Sequence, residues 1–145
     1  MSPKIKAMLV MARKRRLPLL DALESCGIGV LPVCDCNEAR RMLETQPRVQ
    51  AVVTDTALPD GDWRRVLEIV VRGRRTIEVV VCSRLDDHKL WLDVLEQGGY
   101  DVLVEPFEHE EVRRILEAAA ARSYMRFPAQ AINHKPKAAR AAVAG

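Results

Sequence analysis

Asp55 stands where a carboxylate needs a reason. It ends the apolar run Ala51-Val52-Val53-Thr54, and the turn-rich Leu58-Pro59-Asp60-Gly61-Asp62 follows at once. Burying an acid at a strand end is costly unless a cation, a metal or a reacting group meets it there. Other residues suited to chemistry are scattered. His88, His109 and His134 suggest no catalytic cluster, and no catalytic residue is assigned. Cys34-Asp35-Cys36 is a C-x-C pair, but without a second pair or a nearby His it does not make a metal site. The four cysteines, with Cys26 and Cys82, read as free thiols in or near the core. Two basic runs stand out, Arg13-Lys14-Arg15-Arg16 and Arg72-Gly73-Arg74-Arg75. No aromatic interleaves the first, which reads as a solvated loop or an ion-pair donor. The second closes a helix, where cations suit the dipole.

The elements that would position Asp55 alternate regularly. Strands are expected at Ile5–Met11, Ile28–Cys34, Val49–Thr54, Ile77–Cys82 and Asp101–Val104. Helices are expected at Pro18–Cys26, Asn37–Gln46, Trp63–Val71, Asp86–Gln97 and Glu108–Arg122, the second capped by Asp35 or by Cys36-Asn37. Five strand-then-helix repeats imply an α/β fold, a doubly wound five-stranded parallel sheet with helices on both faces. Such sheets place their crevice at the carboxyl ends of the strands. Those ends are Met11–Lys14, Asp55, Ser83 and Glu105. Trp63 and Trp91 fall on helices and are expected to pack in the core.

With 145 residues and 48% hydrophobic content, the chain can build one aliphatic core. No apolar run is long enough to span a membrane. The N-terminus lacks a small-residue cleavage site, so the cytoplasm is the expected location. Residues 1–122 hold all 20 acids against 19 of the 23 Lys and Arg, a near-neutral body. Arg126, Lys135, Lys137 and Arg140 face no acid after that. The division expected is therefore a domain over 1–124 and a basic flexible tail over 125–145.

Three features in order carry a resemblance. They are Asp55 with Thr56-Ala57-Leu58-Pro59-Asp60, then Val81-Cys82-Ser83, then the stretch from Glu96 to Glu105-Pro106-Phe107. The chain resembles the receiver domain of two-component response regulators over about residues 4–122. The resemblance implies the CheY-like, flavodoxin-like fold with strand order 2-1-3-4-5 and five helices. It implies Asp55 as the phosphoacceptor candidate in a pocket with Arg13, Ser83, Arg84, Glu105 and Pro106. It also implies protein partners, a histidine kinase or a downstream signalling protein, and a weak homodimer through residues 86–122.

The departures concern chemistry. The family's two acids after the first strand, which bind Mg²⁺ with the phosphoacceptor, fall within Met11-Ala12-Arg13-Lys14, where no carboxylate stands. Glu105 replaces the family's lysine, Arg84 its small residue after the serine, and Val102 its switch aromatic. Mg²⁺ wants oxygen ligands, so no cofactor is expected. The leading expectation is a stand-alone, atypical receiver, an interaction module with a fixed cation, Arg13 or Arg84, balancing Asp55. One alternative is a genuine phosphorelay receiver phosphorylated on Asp55. A second is a nucleic-acid accessory protein using the basic tail, which steep salt dependence would favour.

Overall fold

The computed structural model describes residues 5–73 and 76–125. The expected tail lies outside the described residues, except that Met125 still belongs to the last helix. Among the described residues seven strands and five α-helices follow in the order β1 (Lys6–Val10), α1 (Leu17–Ser25), β2 (Gly29–Val33), α2 (Cys36–Thr45), β3 (Ala51–Asp55), β4 (Ala57–Leu58), β5 (Gly61–Asp62), α3 (Trp63–Arg72), β6 (Glu78–Ser83), α4 (His88–Glu96), β7 (Asp101–Val104) and α5 (His109–Met125). The large sheet is parallel, ordered β2-β1-β3-β6-β7. Counting its strands alone, that is the expected order 2-1-3-4-5.

Side chains alternate across each strand because successive Cβ atoms point to opposite faces. Met8, Val10, Val52, Val79 and Val81 face the layer of α2, α3 and α4. Ala7, Leu9, Ala51, Val53 and Val80 face α1 and α5. Both faces being covered explains the nearly unbroken apolar strands. Trp63 lies in the first layer at 3% exposure, and Trp91 packs against that layer half-buried. Pro32 is accommodated because β2 is an edge strand.

β4 and β5 form a short antiparallel hairpin where the sequence suggested only a turn. Asp60 at its tip ties this loop to α2. Asp60 Oδ1 accepts from the Cys36 amide at 2.8 Å and Oδ2 from the Asn37 amide at 3.0 Å. Asp35, the expected cap, accepts from the Glu38 amide at 2.8 Å, and Glu38 reaches back to the Cys34 amide at 2.7 Å. First-turn amides have no partner within their own helix, so two acids from separate loops satisfy them here. Helix α4, expected from Asp86, begins at His88, with Asp87 as its cap accepting from the Lys89 and Leu90 amides.

Candidate functional site

Asp55 is 2% exposed and sits at the carboxyl edge of the central strand, in register with Cys82 on β6. Its Oδ1 accepts from the Thr56 amide at 2.8 Å and from the Thr56 hydroxyl at 3.4 Å. Its charge is met by Arg15. Arg15 Nε lies 3.0 Å from Oδ2, and Nη2 donates to Oδ1 at 3.5 Å. The Nε–H is not aimed along the short contact, so this is a side-on ion pair rather than a two-pronged hydrogen bond. The Arg15 side chain is 32% exposed against 3% for Asp55. The pair therefore straddles the solvent boundary.

Arg15 reaches Asp55 because the loop after β1 folds back. Residues Arg13–Arg15 form a 3₁₀ turn, with the Arg15 amide bonded to the Ala12 carbonyl at 3.0 Å. The expected counter-ions were Arg13 and Arg84, and both need correction. Each is exposed and makes no ion pair among the described residues. Counting outward from the strand end treats the loop as straight, whereas the turn carries Arg13 outward and returns Arg15 over the strand. Arg16 points inward too, donating to the Met11 carbonyl at 3.0 Å and to Cys34 Sγ at 3.4 Å.

Ser83 does not face Asp55 through a bond. Its hydroxyl donates to the Leu85 carbonyl at 2.8 Å and accepts from the Leu85 amide at 3.1 Å, closing a local turn. It is not the cap of the next helix either, since Asp87 holds that place. Glu105 is half-buried and makes no ion pair among the described residues. Its amide bonds to the Ser83 carbonyl at 3.0 Å, which sets the two strand ends side by side. Pro106 follows it, exposed, through a cis peptide bond. Beneath the site, burial pushes the Cys82 thiol well up, and the charges of Asp55 and Glu105 push it the same way, with Arg15 opposing. Cys82 is thus a buried thiol kept in its neutral form.

Asp60 provides a pH-dependent prediction. Slight desolvation raises its carboxyl pKa, but the Cys36 and Asn37 amides outweigh this and hold it below the usual carboxylate value. A depressed pKa contributes stability above the unfolded value, and this is lost as pH falls through the folded one. Asp60→Ala is expected to cost about 0.5–2 kcal/mol at neutral pH. The gap from wild type should narrow at about pH 3. Denaturant melts at the two pH values measure it, and a gap independent of pH would refute the assignment.

No protein-family model matches the chain. The chemotaxis protein CheY of Listeria monocytogenes is 27% identical over 77 residues, 53% of this chain and 63% of that protein. The probable C4-dicarboxylate response regulator DctR of Bacillus subtilis is 24% identical over 91 residues, covering 63% of this chain and 40% of that protein. The chain thus spans less than two thirds of the length of these curated relatives. Among solved structures, a response regulator receiver domain protein from Clostridium thermocellum superposes with a TM-score of 0.75 at 17% identity, over 85% of this chain and 99% of that one. The receiver domain of sensor histidine kinase PA1611 from Pseudomonas aeruginosa gives a TM-score of 0.68 at 26% identity, over 81% of this chain and 98% of that one, and holds a magnesium ion in its active-site cleft. Sheet order and these likenesses agree: the chain has the CheY-like, flavodoxin-like α/β fold and is similar to response regulator receiver domains.

Proposed function

We propose that this receiver domain acts in two-component signalling as a cytoplasmic, non-catalytic interaction module, its pocket held by Arg15 in place of magnesium and phosphate. The observation that carries the reading is the contact of Arg15 Nε with Asp55 Oδ2 at 3.0 Å. Magnesium demands near-ideal octahedral oxygen coordination, usually anchored by one or two carboxylates. Residues 11–16 offer no carboxylate beside Asp55, and a guanidinium stands against it instead. The donor set does not fit the ion. Phosphoryl transfer depends on positive charge at the three equatorial oxygens. Here Glu105, half-buried and without an ion pair among the described residues, adds negative charge at the end of β7, two strands from β3. The pair needs no ligand to neutralise Asp55, so it favours one loop arrangement. The partners under this reading are proteins, a histidine kinase or a downstream signalling protein. The α4 to α5 region, residues 86–122, is the face for at most weak self-association.

Incubation with a small-molecule phosphodonor and magnesium should leave the intact mass unchanged. A phosphoryl adduct that disappears in Asp55→Asn would overturn this reading and favour a phosphorelay receiver.

A further inference from the structure

A groove of about 410 Å³ runs between α2 and α3, away from the Asp55 edge. Leu43 and Ile69 form its floor, at 6% and 8% exposure. Arg40 stands on the α2 rim, and Arg65 and Arg72 stand on the α3 rim. Glu44 is the one acid lining it. Residues 65, 69 and 72 share one face of α3, and seven residues of helix rise about 10 Å, or two turns. Guanidinium donors therefore flank an apolar strip on both sides.

These arginines are weakly engaged. Arg65 and Arg72 share Glu68, at 2.6 and 3.4 Å, and among the described residues Arg40 meets the Asn37 side-chain oxygen at 3.5 Å. All three are exposed, and exposed pairs within one helix contribute little, so an incoming carboxylate displaces them at small cost. Among the described residues lining the strip there is no aromatic on which a nucleobase could stack.

We infer that the α2–α3 groove docks an acidic amphipathic helix of a protein partner, with aliphatic side chains on Leu43 and Ile69 and carboxylates on Arg40, Arg65 and Arg72. Charge complementarity along the two turns from Arg65 to Arg72, over the apolar Leu43 and Ile69, chooses this occupant. The inference is independent of the Arg15–Asp55 pair, so either can fail without the other.

The probe is a blocked helical peptide of roughly four turns, with Leu on one face and Glu on either side of it. On titration into the full chain, methyl resonances of Leu43 and Ile69 should shift, and added salt should weaken binding. Arg40→Glu with Arg72→Glu should weaken it by about tenfold or more, and Arg13→Glu should not. Circular dichroism confirms that the exposed substitutions leave the fold intact. No binding at millimolar peptide, or equal weakening by Arg13→Glu, overturns the inference. An oligonucleotide that shifts the same methyls more tightly overturns it in favour of nucleic acid. Self-association lost in the double variant overturns it in favour of a second copy.

Discussion

Replacing Arg15 with alanine is expected to lower the folding free energy by about 1–3 kcal/mol at neutral pH. The range follows from where the pair sits. Fully exposed pairs contribute about 0.2–1 kcal/mol, and removing one partner of a buried pair costs about 3–5. Asp55 is on the buried side of that division and Arg15 on the open side, with side-chain exposures of 3% and 32%. Without Arg15, Asp55 keeps only the Thr56 bonds, and its charge stays desolvated. Asp55→Asn in the same chain should recover part of the loss, because the orphan charge is removed. Arg13→Ala and Arg84→Ala should each stay within about 0.5 kcal/mol of wild type, being exposed side chains without ion pairs among the described residues. Denaturant melts of the single and double variants give the coupling. Additive effects within about 0.3–0.5 kcal/mol would mean that the two side chains do not interact.

The contrast between Arg13 and Arg15 shows where the sequence stopped being legible. Every strand of the large sheet was visible, because burial on both faces leaves runs such as Glu78-Val79-Val80-Val81-Cys82 with few other readings. Asp35 was visible as a cap because caps act within a few residues of the helix they start. A cation beside Asp55 was also an expectation, and Arg15 stands there. Which cation it is depends on a three-residue 3₁₀ turn, and Arg13, Lys14, Arg15 and Arg16 are nearly equivalent by type. Asp60 was hidden for another reason. Its partners, the amides of Cys36 and Asn37, lie more than twenty residues earlier and carry no side-chain signal. The α2–α3 groove is likewise a product of packing. Arg40 and Arg72 are ordinary exposed arginines until the two helices are laid side by side.

Charge reversal at Arg15 should have the largest effect, and it should be reversible by an ion. Arg15→Glu removes the cation and adds a carboxylate at the pocket edge, where Asp55 is buried and Glu105 is half-buried. The variant should be less stable than Arg15→Ala, since a like charge is now held against Asp55 in a site poorly screened by water. The same substitution gathers oxygen donors where the wild-type chain presents a guanidinium. Millimolar magnesium should therefore raise the melting temperature of Arg15→Glu, while leaving wild type and Arg15→Ala unchanged. Magnesium at ten times its dissociation constant would return about 1.4 kcal/mol. Sodium chloride at matched ionic strength separates coordination from screening, because screening acts on all charged loops alike. Magnesium stabilisation of the wild-type chain to the same extent would show that Arg15 does not occupy the ion's place. Failure of the variant to respond, with a stability equal to that of Arg15→Ala, would show that the side chain at position 15 is not held against Asp55.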